Sequence, residues 1–436
     1  MALLSGCGGG AGSQSGSKTL KVAYELYGGQ DQVQQLFNRV KDQFEKQNPG
    51  AKINLVPIKA SENDYYTKLG LMQRSSSTAP DVVYEDTFLI NSDVDAGYLT
   101  PLDDYLKSWS DWSEFFDTAK QAARAKDGKI YGVPMGTDTR GLWYNKKVLT
   151  KAGLSVPWQP HSWNDILAAL KKIKARVPGV TPINIYAGKP AGEASTMQGF
   201  EMLLYGTGDT LYDQKTNKWI ASSPGFLDSL KFLQTVYKEK LALSPQQVLD
   251  PNVGNVVQQQ LLPSGKLAID LDGSWLPGTW IKTGPKPWPE WHKVLGVAAM
   301  PTEHGQSPGY TSMSGGWTLS ISSKSANKDL AWKLISLALN KENSIFYDIA
   351  ASQIAVRKDV AKSPKYLSSN PTIKTFTSFV KFTHYRPAYP KYPQLSNQIQ
   401  VAMESVITGQ ATPKAAMEQY ATSVKQIVGP SEVTSV

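Results

Sequence analysis

Residues 20–50 read LKVAYELYGGQDQVQQLFNRVKDQFEKQNPG, and this stretch decides the fold class. Leu20 to Tyr24 alternates apolar and polar side chains, which is typical of a half-buried β-strand, and Gly28-Gly29 ends that pattern. Apolar residues then recur at the spacing of one helix face: Val33, Leu36, Phe37, Val40 and Phe44. Because Asn48-Pro49-Gly50 stops a helix, the stretch predicts one strand followed by one amphipathic helix.

The same alternation of strand and helix continues along the chain. A strand is predicted at Ile53–Ile58, a helix at Tyr65–Met72 and a third strand at Asp81–Tyr84. Strands that alternate with helices indicate an α/β fold with a largely parallel sheet and helices on both faces. Ligands of such sheets bind where strands end, so the loops Tyr27–Gln30 and Glu85–Phe88 are candidates for a site.

The rest of the chain is predominantly helical in pattern. Further helices are predicted at Trp163–Ile173, Phe226–Tyr237, Leu330–Leu339, Gln398–Ile407 and beyond Pro413. Between residues 277 and 316 proline and glycine are dense, which indicates long irregular loops. With 436 residues the chain is too long for one hydrophobic core, so we expect two lobes.

Composition indicates a globular protein rather than a disordered or nucleic-acid-binding one. Apolar residues make up 41% of the chain and charged residues 19%, which is enough apolar surface to build a packed core. The formal net charge is +9, but the lysines are spread over helix-like segments and form no basic block. We therefore expect no nucleic-acid partner, and no apolar run is long enough to span a bilayer.

The only cysteine, Cys7, lies in the sequence Leu4-Ser5-Gly6-Cys7. This sequence resembles the lipobox of bacterial lipoproteins, whose cysteine takes the lipid. Residues 8–17 contain only Gly, Ala, Ser and Gln, as a flexible tether does. We interpret residues 1–17 as a lipobox remnant and tether of an N-terminally truncated precursor.

Catalytic motifs are missing from the sequence. The four histidines have no metal-ligand spacing, and neither a nucleophile elbow nor a phosphate-binding loop occurs. We therefore expect no metal and no cofactor. Two suitably placed carboxylates would still suffice for a glycosidase, so a secreted hydrolase stays an alternative.

Aromatic residues stand beside polar ones in several loops that glycine or proline interrupts. These segments are 138–144, 272–275, 315–317 and 385–392. A sugar ring has an apolar face, which Trp and Tyr can cover, and a rim of hydroxyls, which Asp, Asn and Arg can bind. Core packing is the better explanation for any one of these tryptophans taken alone, but several such loops together favour a carbohydrate cleft.

Nine short segments occur in an order that resembles one known family. They are Asn48–Gly50, Ala79–Val83, Leu99–Asp103, Gly128–Pro134, Leu142–Lys146, Gly265–Ile269, Gly315–Trp317, Ala331–Lys333 and Arg386–Pro387. From Lys18 onward the chain resembles the extracellular solute-binding proteins of carbohydrate ABC importers (family 1), the group that includes maltose- and trehalose-binding proteins.

The resemblance implies the two-lobed periplasmic-binding-protein fold of class II, with the ligand cleft between the lobes. Family members close on their ligand about a hinge of about three chain crossings. We place those crossings near Thr137–Arg140, Trp317–Leu319 and Val356–Lys358. The N-terminal lobe is then 18–137 plus 319–356, and the C-terminal lobe is 141–316 plus 358–436.

The resemblance also implies a set of ligand-binding residues. Asp86 and Asp138 match acids that take sugar hydroxyls, and Trp275 and Trp317 match stacking tryptophans, with the Gly315 and Gly316 backbone close to the sugar. Further matches are Arg386, Tyr65 or Tyr66, and one of Gln30, Gln32 and Gln34. Arg357 is a further candidate, with bracing of the hinge as its alternative role. Relatives place an arginine near Tyr65 or Tyr66, and Glu or Asn near the glutamines, so these first-lobe contacts stay open.

The expected function is capture of a disaccharide or short oligosaccharide outside the cell for an ABC importer permease. The protein would be a non-enzymatic monomer that binds no ATP and is tethered to the outer face of the membrane, or in a periplasm, only through lipid on Cys7. An alternative ligand is anionic, such as a glycerophospho compound or a uronide, because Arg140 and Arg386 could bind it.

Overall fold

The computed structural model describes residues 18–435. Its strands are β1 Thr19–Leu26, β2 Lys52–Lys59, β3 Val82–Asp86, β4 Gly132–Thr137, β5 Arg140–Asn145, β6 Thr181–Asn184, β7 Tyr212–Asp213, β8 Lys218–Ser222, β9 Leu267–Gly273, β10 Leu295–Ala298, β11 Met300–Pro301, β12 Tyr310–Ser314, β13 Gly316–Ile321, β14 Thr383–Tyr385 and β15 Val433–Ser435.

The α-helices fall into three groups along the chain. The first group is α1 Gln32–Gln47, α2 Glu62–Gln73, α3 Ile90–Asp95, α4 Asp103–Lys107, α5 Asp117–Ala122 and α6 Lys146–Lys151. The second is α7 Trp163–Arg176, α8 Met202–Thr207, α9 Pro224–Lys238, α10 Pro245–Val248, α11 Val253–Val256, α12 Pro277–Trp280 and α13 Trp291–Val294. The third is α14 Lys328–Ala338, α15 Lys341–Ala350, α16 Lys358–Ala361, α17 Pro364–Leu367, α18 Ile373–Phe379, α19 Tyr392–Ile407 and α20 Pro413–Val428. In addition, Ala194–Glu201 and Val257–Leu261 are π-helical.

The first lobe is built on a five-stranded sheet in the order β2-β1-β3-β13-β4. Strands β2, β1 and β3 are parallel, as the opening stretch of sequence predicts, and the apolar face of α1 is fully buried. Strand β13 is distant in sequence from the other four strands and runs antiparallel to both β3 and β4. The predicted α/β fold class is confirmed, with this one antiparallel strand inside the sheet.

The second lobe is built on a four-stranded mixed sheet in the order β10-β5-β9-β6. Strand β5 is antiparallel to β10 and β9, while β9 is parallel to β6. Helices α7, α9, α19 and α20 contribute to its large hydrophobic core. The region from 277 to 316 is more regular than its composition suggests, because β10, β11 and β12 form there.

The chain passes between the two lobes at three places, the second of them from a separate small sheet of the second lobe, β11-β12-β14. Residues 138–139 join β4 to β5, and Gly315 alone joins β12 to β13. The third passage lies near Ile354, which exchanges backbone hydrogen bonds of 2.8 and 2.9 Å with Thr137. Since Trp317–Leu319 pairs within the first sheet, the second passage lies at Gly315, slightly earlier than the sequence suggests. Within residues 18–435, no helix combines the length and apolar character that crossing a bilayer demands.

Candidate ligand-binding site

A cavity of about 250 Å³ lies between the two lobes, and we call it the interlobe cavity. Its lining includes the ends of strands from both sheets, which the first passage at residues 138–139 brings together. Most of the residues that the sequence singled out line this cavity: Gln32, Asp86, Asp138, Trp275, Gly315, Gly316, Trp317 and Arg386. The position at strand ends follows the general rule for α/β folds.

Trp317 is held by neighbouring aromatic rings in the first lobe. It is the Cα partner of Asp86 in the pairing of β13 with β3, so both residues reach the cavity at the same edge of the sheet. The Trp317 ring stacks on Tyr84, with centroids 4.2 Å apart and planes at 3°. Because its side chain stays partly exposed at the cavity, it has apolar surface available for a ligand.

Trp275 lies on the second-lobe side of the cavity, just after β9. The guanidinium carbon of Arg140 lies over this ring, 4.6 Å from its centroid. Arg140 is also ion-paired with Asp138, whose Oδ1 accepts a 2.8 Å hydrogen bond from the Gly315 backbone. Arg140 therefore covers part of the Trp275 ring, as Tyr84 covers one face of the Trp317 ring, and both tryptophans stay partly exposed at the cavity.

Arg386 forms a buried ion-pair network that joins the lobes. Its Nη2 lies 2.8 Å from Asp86 Oδ1 in the first lobe, and its Nη1 lies 3.2 Å from Glu193 Oε2 in the second. The guanidinium carbon is also 4.0 Å from the centroid of the Phe88 ring. We call Arg386, Asp86 and Glu193 the interlobe triad. Burial raises the pKa of Glu193, and Arg386 opposes that rise.

Tyr65 and Tyr66 do not line the cavity but support residues that do. The Tyr65 hydroxyl is buried and donates to the Tyr84 carbonyl oxygen at 2.5 Å. The Tyr66 hydroxyl lies 2.8 Å from Asp86 Oδ2 and 2.5 Å from Glu62 Oε1. These tyrosines therefore fix Asp86 and the ring beneath Trp317, and their position outside the lining does not support a direct contact with ligand.

Arg357 also lies outside the cavity. Its guanidinium pairs with Asp111 at 3.0 Å and Asp359 at 2.9 Å, and it donates to the Leu339 carbonyl oxygen. All of these partners are protein groups packed near the third passage between the lobes. A buried arginine with its hydrogen-bonding capacity used in this way braces the fold near the hinge, which is the alternative role expected for Arg357.

Several acids line the cavity that sequence reasoning missed: Glu25, Glu62, Glu193 and Asp272. Burial raises the pKa of Glu62 to about 7 and that of Asp272 to about 6. It also raises the pKa of Glu25 well above its usual range, and the neighbouring acids Glu62 and Asp86 add to this rise. Glu25 lies near the end of β1, between the predicted strand Leu20–Tyr24 and the candidate loop Tyr27–Gln30. That position was the signal available in the sequence.

The lobes also touch at the mouth of the cavity. Tyr27 donates its hydroxyl to the Pro251 carbonyl oxygen at 2.9 Å, and Gln259 Nε2 donates to the Gly28 carbonyl oxygen at 2.9 Å. At Gly28, φ is +60°, and a Cβ there would lie 1.8 Å from Asn255 Oδ1. The positive φ favours glycine at this position, and these direct contacts between the lobes close this part of the cavity.

Known proteins provide an independent comparison for this geometry. The family of bacterial extracellular solute-binding proteins matches residues 28–345. The chain belongs to this family. A putative binding protein of Brucella abortus is 24% identical over 397 residues, which cover 90% of this chain and 89% of that protein. The galactooligosaccharide-binding protein of Bacillus subtilis is 24% identical over 396 residues, which cover 89% and 86%.

Solved structures of solute-binding proteins show the same fold. Maltose-bound MalE3 of T. maritima has a TM-score of 0.79 at 22% identity, with 94% of this chain and 100% of that chain covered. An ABC transporter solute-binding protein of Thermotoga lettingae, bound with α-D-tagatose, has a TM-score of 0.79 at 25% identity, with 95% and 100% covered. The predicted family and the two-lobed periplasmic-binding-protein fold are thereby confirmed.

Proposed function

We propose that this solute-binding protein captures a small saccharide in the interlobe cavity and delivers it to the permease of an ABC importer. The observation that carries the proposal is the partly exposed Trp317 ring beside buried carboxylates and arginines in a closed cavity. Such a site can cover the apolar face of a sugar and bind its hydroxyls. The similarity to a galactooligosaccharide-binding protein and to tagatose- and maltose-bound proteins supports the same class of ligand.

The size of the cavity favours the small end of the predicted range. Ligand pockets commonly enclose about 300–1,000 Å³, and this cavity encloses about 250 Å³. A monosaccharide or disaccharide therefore fits better than a longer oligosaccharide while the lobes are closed. The proposed contacts are the stacking surface of Trp317, the backbone at Gly315 and Gly316, and the polar groups of Gln32 and Asp138.

The alternatives have less support from this site. An anionic ligand needs free cations, but Arg140 is paired with Asp138, and Arg386 is paired with Asp86 and Glu193. A glycosidase reading has no support from the family, whose members are described as solute-binding proteins. We therefore propose a binding protein without catalytic activity, and turnover of nitrophenyl glycosides by the purified protein would contradict this.

Ligand binding is expected to make the protein more compact in solution. The proposed lobes, 18–137 plus 319–356 and 141–316 plus 358–436, would separate when the cavity is empty and close on the sugar. Calorimetric titration against a saccharide library identifies a ligand, and small-angle X-ray scattering then compares the free and bound protein. An identical scattering profile with a saturating ligand would rule out hinge closure as part of binding.

Lipid attachment at Cys7, which lies outside the described residues, is the proposed link to the membrane. We propose that the chain acts as a monomer tethered to the outer face of the membrane. With a complete signal sequence in a bacterial host, the protein should appear in the membrane fraction, and Cys7→Ser should release it, because the lipid requires the thiol. Equal membrane association of both versions would contradict the anchor.

A further inference from the structure

The charges that line the interlobe cavity do not balance. Both arginines of the lining are already neutralised within the protein, Arg140 by Asp138 and Arg386 by the other two members of the interlobe triad. Among residues 18–435 no lysine lines the cavity. Any further carboxylate at this surface therefore lacks a protein cation to pair with.

Three lining carboxylates remain without a cation: Glu25, Glu62 and Asp272. Glu25 is half-buried, and its carboxylate makes no hydrogen bond or ion pair with any side chain or backbone group between residues 18 and 435. Glu62 is held only by the hydroxyl of Tyr66, and Asp272 by the Tyr186 hydroxyl and the Gly273 backbone. Glu25 and Glu62 both lie on the first-lobe side of the cavity and face the same space.

Acids crowded in a half-buried space are unfavourable when ionised, because burial and like charges both oppose the charged form. A neutral sugar hydroxyl would bind to them but would not remove the charge. A ligand ammonium group would add the opposite charge, which offsets the cost of keeping both carboxylates ionised beside each other. The unpaired first-lobe acids therefore favour a cation over a neutral group.

We propose that the ligand is an amine-bearing saccharide whose protonated amine binds Glu25 and Glu62 while its ring lies against Trp317. This inference rests on the proposed function and specifies its substrate class. Asp272 on the opposite side of the cavity is left to accept hydroxyl groups of the same ligand.

The pH dependence of binding follows from the acids involved. The titratable and charged groups around Glu62 are Tyr66 on its own helix, Glu25, Tyr27 and Asp86 from the first sheet and its loop, and Arg386 and Glu193 from the second lobe. Burial and the neighbouring Asp86 raise the pKa of Glu62 to about 7, so a larger fraction of its carboxyl is ionised at pH 7 than at pH 5. The amine of an amino sugar is protonated at pH 5 and still mostly protonated at pH 7, so affinity for the amine should increase from pH 5 to pH 7.

The test uses pairs of saccharides that differ only in an amine. Suitable pairs are glucosamine and glucose, galactosamine and galactose, the β-1,4-linked glucosamine disaccharide and cellobiose, and trehalosamine and trehalose. Calorimetric titration at pH 7 should show at least one amine member binding about tenfold or more tightly than its neutral counterpart, a difference of about 1.4 kcal/mol. Repeating the titration at pH 5 should reduce that preference.

Variants assign the preference to the two acids. Glu25→Gln and Glu62→Gln should each reduce the ratio of amine to neutral affinity about tenfold. Asp64→Asn, which removes one negative charge from the exposed side of the same helix, is the matched control and should leave the ratio unchanged.

Each remaining outcome has one meaning. If neutral members bind at least as tightly as amine members in every pair, the inference is wrong and the proposed saccharide function stands. If neither kind of saccharide binds, the proposed function fails together with the inference. An amine preference that survives in both glutamine variants would overturn the assignment to Glu25 and Glu62.

Discussion

Replacing Arg386 with methionine is expected to lower the free energy of unfolding by about 3–5 kcal/mol, the usual cost of removing one partner from a buried ion pair. Arg386 is only 7% exposed, and its loss would leave the buried Asp86 and Glu193 without a cation. Methionine keeps most of the side-chain volume, so the loss reflects charge rather than a cavity. Urea denaturation followed by circular dichroism measures the change.

A matched control separates this effect from the loss of any arginine. Arg39 pairs with Glu342 at the surface at 2.5 Å, and Arg39→Met should cost at most about 1 kcal/mol. Adding Asp86→Asn and Glu193→Gln to Arg386→Met should restore part of the lost stability, because no buried charge is then unpaired. A cost for Arg386→Met as small as that for Arg39→Met would show that water reaches the interlobe triad.

Local sequence patterns predict the first three strands and the helices between them because each element depends on neighbours within its own segment. The predicted Leu20–Tyr24, Ile53–Ile58 and Asp81–Tyr84 lie within or next to β1, β2 and β3. The insertion of β13 between β3 and β4 was not predictable in this way. Its pairing with β3 joins segments such as Trp317 and Asp86 that are distant in sequence, and no local period records such a partner.

The binding site shows the same division between local and distant information. Aromatic residues beside glycine, such as Trp317, have a recognisable pattern in sequence. Glu62 is the first residue of α2, where an acid commonly interacts with the helix dipole, so nothing in the sequence separates it from an ordinary helix start. The Asp86–Arg386 pair joins residues 300 positions apart. Only the fold reveals that each of these side chains uses hydrogen-bonding capacity of the other.

That pairing changes which residues should dominate sugar binding. Asp86 Oδ1 is bound to Arg386 and its Oδ2 to the Tyr66 hydroxyl, so its remaining capacity for sugar hydroxyls is limited. Asp138 is similarly engaged with Arg140 and the Gly315 backbone. The exposed parts of the Trp317 and Trp275 rings in the cavity are therefore expected to contribute most of the binding free energy of a ligand.

Trp317→Ala is expected to weaken saccharide binding by about 2 kcal/mol or more, which is about thirtyfold, because a buried aromatic anchor commonly supplies that much. Trp317→Phe should retain much of the affinity, since it keeps a ring stacked on Tyr84. Trp275→Ala should also weaken binding by about tenfold or more, because this ring too lines the cavity and is partly exposed there. Isothermal titration calorimetry with the ligand found in the library gives each affinity.

Two controls make the Trp317 result interpretable. Trp112→Ala removes a partly exposed tryptophan of the first lobe that does not line the cavity. This variant should leave the affinity unchanged. A melting curve for each variant shows whether the ring cluster around Trp317 still folds, because Tyr65 and Tyr66 also contact that ring at 6.0 Å between centroids. If Trp317→Ala folds and binds as tightly as the unaltered protein while Trp275→Ala does not, the sugar lies against the second lobe, and closure must then depend on hydroxyl contacts rather than on the first-lobe ring.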